Sequence, residues 1–216
     1  MKKFFKTVLC VALSLILMLS AVSCNNNQGG ENSSDDDYTR PSDVNIDDSF
    51  TATSKTLMVY FSKTNTTKRV AEKIQELTGA DIFEIERKEP YPDSYTPTTE
   101  VAQEEKNNNA RPELATYLPD EVMAEYDTII LGYPIWWWTA PMIVGMFLEH
   151  YDLTDVDIYP FSQSASMNTS QFATSMEFVR ECAAKSGTPT VHDGLFARVT
   201  STATIDSYLS ANGFIG

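Results

Sequence analysis

From residue 55 onward, short unbroken apolar runs alternate with stretches in which apolar residues return every three or four positions. Residues 56–61 (TLMVYF) form a continuous apolar, β-rich run, as a strand covered on both faces requires. Residues 66–78 then place Val70, Ala71, Ile74 and Leu77 on one stripe, with Lys68, Arg69, Glu72 and Lys73 outside it. That spacing predicts a helix, which Gly79 ends. Residues 80–85 (ADIFEI) read as a second strand, followed by a loop rich in Pro, Tyr and Asp and a polar helix near 98–108. Residues 127–133 (DTIILGY) predict a central strand, 141–150 a helix, and 156–161 a fourth strand. A longer helix is expected over 169–186, with Phe172, Met176, Val179 and Ala183 on its stripe. A fifth strand falls near 189–197, and a last helix near 201–212 stops at Gly213. Repeated strand–helix units without sequence repetition predict an α/β domain: a five-stranded, doubly wound parallel sheet with helices on both faces. Ligands of such sheets bind outside the carboxyl ends of the strands, where the strand order reverses. The loops after the first, third and fourth strands therefore carry the candidate site.

The chain before residue 55 obeys a different pattern. Lys2, Lys3 and Lys6 precede an almost wholly apolar run over 8–22, which is shorter than the roughly 20 residues a membrane-spanning helix needs. A basic start, a short apolar run and small residues before a cut site describe a secretory signal peptide over 1–23. The run ends Ala21-Val22-Ser23-Cys24, which resembles a bacterial lipoprotein signal. That resemblance implies lipidation of Cys24 as the mature N-terminus and a bacterial cell-envelope location outside the cytoplasm. Two or three acyl chains would hold a membrane stably where one would not. With Cys10 in the leader and Cys24 lipidated, only Cys182 remains, so no internal disulfide is expected.

Residues 25–54 hold seven acids against one base, Arg40, and few apolar residues. They are expected to form, with Cys24, an acidic, disordered tether over 24–54, spanning roughly 30 Å root-mean-square. The folded domain is then 55–216. The whole chain of 216 residues has 16 Lys+Arg against 30 Asp+Glu, a formal charge of −14. Without the leader's three lysines the balance is 13 against 30. Such a surface excludes sequence-independent nucleic-acid binding, which relies on cations at phosphates. His150 and His192 lack any Cys or carboxylate spacing suited to a metal, and no serine sits in a nucleophile-elbow pattern.

The three loops carry the remaining signal. Ser62-Lys63-Thr64-Asn65-Thr66-Thr67 follows the first strand and opens a helix, where backbone N–H groups and the helix dipole favour an anion. The central strand runs into Gly132-Tyr133-Pro134-Ile135-Trp136-Trp137-Trp138-Thr139-Ala140-Pro141. Three consecutive indoles cannot all enter one core, so at least one is expected at a cleft. After the fourth strand comes Phe161-Ser162-Gln163-Ser164-Ala165-Ser166.

These motifs resemble the flavodoxin-like family. Ser62, Thr64, Thr67 and Val70-Ala71-Glu72 match its phosphate loop and helix, with Asn65 where the family has Gly. Residues 132–141 are similar to the Gly-Tyr-Pro-Ile-Trp-Trp-Gly-x-Ala-Pro stretch of a subfamily, with Trp138 in place of its Gly. The resemblance implies strand order 2-1-3-4-5 and noncovalent FMN. The phosphate would lie on Ser62, Lys63, Thr64, Asn65, Thr66 and Thr67. The ring would lie between Tyr133, Pro134 and Trp136–Trp138 on one side and Phe161, Ser162, Gln163, Ser164 and Ala165 on the other. It implies electron transfer to or from a membrane or protein redox partner, whose docking face the acidic surface predicts to be basic. Two other readings stay open: a flavodoxin-like binding module that has lost FMN, its cleft filled by Trp138, and an FMN-dependent quinone or NAD(P)H reductase.

Overall fold

The computed structural model describes residues 43–164, 168–197 and 201–216. The leader, Cys24, the acidic stretch before residue 43, and Ala165 lie outside the described residues. Five parallel strands run in the order β2 (Asp81–Glu84), β1 (Thr56–Tyr60), β3 (Thr128–Tyr133), β4 (Asp157–Gln163), β5 (Thr190–Val191). A sixth short strand, β6 (Leu195–Ala197), also pairs with β4. The order 2-1-3-4-5 is the expected one, and its reversal lies between β1 and β3.

Strand β1 explains its own apolar run. Leu57 and Val59 point into one core and Met58 and Tyr60 into the other, and all four are buried. Side chains of period two covered on both faces leave no position for a polar residue. The Leu57 side of the sheet is packed by α4 (Met142–His150) through Ile143, Val144, Phe147 and Leu148, and by α5 (Thr169–Ala183) through Val179 and Ala183. The Met58 side is packed by α1 (Thr66–Thr78) through Val70, Ala71 and Ile74, and by α6 (Thr202–Ala211) through Ile205 and Leu209. Each fully buried aliphatic side chain contributes about 1.5–3 kcal/mol. Helix α2 (Tyr95–Asn107) starts three residues earlier than the pattern predicts, and a single turn, α3 (Asp120–Met123), precedes β3.

Two expectations change. The predicted fifth strand over 189–197 is split, with His192-Asp193-Gly194 between β5 and β6. Opposite this break β4 contributes Tyr159 and Pro160, two residues against three, because Ile158 pairs with Val191 and Phe161 with Leu195. Pro160 has no N–H to donate, so the ladder lapses there and one residue bulges. His192 fills the gap: its ring stacks on Tyr159 at 4.1 Å, and Nε2 lies 2.7 Å from Asp157 Oδ1.

The tether was expected to run to residue 54, but from residue 43 the chain lies along the domain. Val44, Phe50 and Ala52 pack on the core that holds Leu57, and Phe50 meets Phe83 edge-on at 6.2 Å. Asp47 N–H donates to Tyr117 O and Tyr117 N–H to Asn45 O, both at 2.8 Å. Asp81 fastens the end of this strap, accepting from Thr53 N at 2.7 Å, Ser54 N at 3.0 Å, the Thr53 hydroxyl, and Tyr126 Oη at 3.0 Å. Spaced apolar residues and one well-placed carboxylate outweigh the acidic composition here.

Candidate functional site

Adjacent strands deliver the three loops to one edge. Tyr60 pairs with Gly132, Gly132 with Phe161, and Tyr133 with Ser162, so the chain leaves β1, β3 and β4 at nearly the same level. Gly132 is required in this register, since a Cβ there would come within 2.3 Å of the Phe161 ring. At the start of α1, Asn65 is the N-cap with φ 58° and ψ 9°, the left-handed conformation that asparagine tolerates best after glycine. No side chain caps this helix, and its first turn holds no acid. The first-turn N–H groups and the dipole are thus presented to an anion. Thr64 is exposed, and its Oγ1 lies 3.2 Å from Thr66 Oγ1. Ser62 and Thr66 are half-buried, while Thr67 is buried. Lys63 turns elsewhere: its Nζ donates to Tyr91 O at 3.0 Å and lies 3.7 Å from Asp93, so its ammonium ties two loops together. Beside the loop, between α1 and α6, a groove of about 320 Å³ is lined by Thr66, Arg69, Lys73, Gln163 and Thr202.

The tryptophans occupy a tight turn. Trp136 N–H donates to Thr139 O at 2.9 Å and Thr139 N–H to Trp136 O at 3.0 Å. Trp137 and Trp138 both have positive φ, 49° and 65°. Two left-handed central residues define a type I′ turn, normally built from Asn and Gly. The indoles diverge. Trp136 packs edge-on against Phe61 and Tyr91, each at 5.2 Å, and so joins this turn to the end of the first strand. Trp137 donates from Nε1 to Thr99 O of α2 at 2.9 Å. Trp138 remains 48% exposed, with Lys106 Nζ 5.6 Å over its ring and Trp137 at 6.2 Å. An indole that is half exposed does not plug an interior cleft, so the filled-cleft reading gains no support.

Two predicted ring contacts belong to the core instead. Tyr133 is fully buried, with its hydroxyl 3.3 Å from Ser175 Oγ and 3.4 Å from Met176 Sδ. Burial pushes this phenol well above its ordinary pKa. Phe161 is also buried, its ring lying across Gly132. Both follow the alternation of their strands, which sends them into the helices. Pro134 is half-buried between Tyr133 and the turn. Ser162 is buried at the end of β4 with no hydrogen-bond partner for Oγ among the described residues, and so is Thr139 Oγ1 beside the tryptophans. Orphaned hydroxyls are costly and rare in native interiors, and both stand at the ligand edge of the sheet. Gln163 and Ser164 are half-buried, and Ser164 N–H donates to Ala197 O at 3.3 Å.

The pattern did not single out α2 as part of the site, yet it lies directly behind the turn. Thr98, Ala102 and Glu105 form its buried stripe. A glutamate at an apolar position of a helical stripe was the available signal. Glu105 accepts from Tyr91 Oη at 2.6 Å and Arg87 Nε at 3.1 Å. Burial raises its carboxyl pKa, a shift that the Tyr91 hydrogen bond and the Arg87 charge oppose without cancelling. The same burial, with Glu105 alongside, drives the Tyr91 phenol upward. Among the described residues no group of three or more His, Cys, Asp or Glu is placed to hold a metal ion. No described helix is long and apolar enough to cross a membrane.

A family model described as Flavodoxin matches residues 55–187. No curated protein sequence matches the chain. Among solved structures, a candidate flavoprotein of Bacteroides eggerthii is 26% identical, with a TM-score of 0.59 over 72% of this chain and 96% of its own. A candidate flavoprotein of Bacteroides uniformis is 25% identical, also with a TM-score of 0.59, over 72% and 97%. A flavoprotein of Lactobacillus acidophilus, solved in complex with FMN, shares the fold at 22% identity and a TM-score of 0.56, over 71% and 97%.

Proposed function

We propose, from the premise that this chain belongs to the flavodoxin family, that it is an FMN-binding redox protein passing electrons outside the cytoplasm. One observation carries the reading: an uncapped helix N-terminus and a tryptophan turn flank the reversal of strand order, joined by the Phe61–Trp136 contact. The residues present suit the cofactor. Backbone N–H groups of 64–67, with the Ser62, Thr64 and Thr66 hydroxyls, would hold the phosphate at the positive end of α1. Asn65 keeps the required left-handed turn despite replacing glycine. The exposed indole face of Trp138 and the half-buried Trp136 would flank the ring, and Ser162 and Thr139 offer hydroxyls that nothing else in the described structure uses.

When bound, FMN supplies the redox chemistry, and the chain's own residues bind it, orient it and limit solvent access. Electron transfer requires no side chain to act as acid or base. The surplus of acids opposes added negative charge at the site and sets the field in which a partner approaches. The leader and Cys24 support anchoring by lipid at a bacterial membrane. In that compartment a membrane or protein donor with a basic face suits the surface better than a free nicotinamide.

Titration of the purified protein with FMN, followed by absorbance, tests the proposal. Binding in a one-to-one ratio is expected, and a protein that ignores added flavin overturns it. Thr64→Ala is expected to weaken binding by roughly 1.5–3 kcal/mol, the loss of one hydrogen bond to a charged group. Unchanged affinity would remove the phosphate from this loop. Turnover of a quinone or NAD(P)H without added protein would identify a reductase instead of a carrier.

A further inference from the structure

The tryptophan turn is held from behind by a single helix. Trp137 exposes two polar groups to α2, and both are taken: Nε1 donates to Thr99 O at 2.9 Å, and its carbonyl accepts from Lys106 Nζ at 2.6 Å. Thr99 and Lys106 are seven residues apart, two helical turns, or about 10 Å along the axis. Trp137 is therefore clasped lengthwise along the helix. The same Lys106 ammonium lies 5.6 Å over the ring of Trp138. One cation thus fixes the carbonyl of the first left-handed residue and the indole of the second.

The clasp answers a physical need. A bulky residue at positive φ is strained and persists only where its surroundings over-determine it. Here there are two in succession. Trp136 is secured on the inside by Phe61 and Tyr91, but Trp138 is half exposed, and among the described residues its ring meets the Trp137 ring and the Lys106 ammonium. A partly desolvated cation–π contact is one such constraint. A charge-assisted hydrogen bond is another, roughly twice as strong as a neutral one. Lys106 supplies both.

We propose that Lys106 is a positioning residue: through the Trp137 carbonyl and the Trp138 ring it sets the orientation of the indole that meets the flavin. The inference rests on the FMN reading and assigns α2, which contributes no other side chain to that reading, as the support of the aromatic wall. Lys106 acts on binding through Trp138. Removing its charge also removes a cation close to that wall, and the bound flavin then becomes harder to reduce.

The test compares the purified protein with Lys106→Met, Lys106→Arg and Trp138→Gly, and with Lys106→Met combined with Trp138→Gly. FMN affinity and the midpoint potential of the bound flavin are read, with the thermal midpoint confirming that each variant folds. Lys106→Met is expected to weaken FMN about tenfold, the equivalent of one charge-assisted contact, and to move the potential negative. Lys106→Arg, which keeps both the donor and the cation over the ring, restores affinity to within about threefold. In the Trp138→Gly background the Lys106→Met change loses most of its effect on affinity, while the shift in potential, set by the charge itself, persists. Equal affinity and potential for wild type and Lys106→Met overturn this proposal while leaving the flavin reading intact. An undiminished loss of affinity on Lys106→Met after Trp138→Gly also overturns it, because the lysine then acts on the flavin directly. Failure of the wild-type protein to bind FMN removes both.

Discussion

Trp138 shows what a single residue can conceal. Its identity and its departure from the family's glycine are visible in the sequence, and so is the prediction that one of three adjacent indoles must reach a cleft. Its conformation is not, because no propensity places tryptophan at φ 65°. Asn65 is the opposite case: asparagine in place of glycine signals left-handed backbone, and the helix indeed begins there. The strain at Trp138 yields a prediction. Trp138→Gly relieves a cost of order 1–3 kcal/mol and gives up a cation–π contact of about 0.5–1 kcal/mol, besides the entropy cost of glycine. The net expectation is a gain of about 1 kcal/mol, or a rise of roughly 2–4 °C in thermal midpoint, accompanied by weaker FMN binding. A calorimetric scan beside a flavin titration checks both. A fall in both stability and affinity would mean that the turn carries no strain.

Among the elements, the βαβ alternation was legible because strands buried on both faces admit few polar residues. The split between β5 and β6 was not. Its cause, the missing N–H of Pro160, lies on the neighbouring strand and acts on residues more than 30 positions away. The strap over 43–54 was hidden by its own acids, since composition does not reveal that Asp81 awaits Thr53 and Ser54. Burial draws the Asp81 carboxyl pKa upward, but the hydrogen bonds from Thr53, Ser54 and Tyr126 outweigh it and hold the value below the ordinary one. A group depressed in the folded state stabilises above its unfolded value, near 3.9, and that contribution disappears as pH falls through the folded value. Asp81→Asn is therefore expected to destabilise by roughly 1–3 kcal/mol at pH 7, with the difference from wild type closing below about pH 4. Hydrogen exchange should show the strap amides losing protection first. Uniform loss across the sheet would show that Asp81 supports the core rather than the strap.

At the scale of the whole molecule, the chain carries a large surplus of acids, while the groove nearest the proposed site is bordered by Arg69 and Lys73. Exposed charges act on a partner over about one Debye length, roughly 10 Å at 0.1 M salt. Electron transfer from a basic donor is expected to slow several-fold between about 0.02 and 0.2 M ionic strength, as measured by stopped-flow mixing. A salt-independent rate would mean that charge does not guide the encounter. How the acids are arranged around the site could not be read from composition, which gives a total and no positions.

All three tryptophans of the 216-residue chain stand side by side at positions 136–138. Every photon of indole emission from this protein therefore originates in one four-residue turn. Without any label, its indole fluorescence, excited beyond the absorption of the ten tyrosines, reports on that turn alone. An isoalloxazine arriving there should darken nearly the whole signal, and a ligand bound anywhere distant should leave it lit.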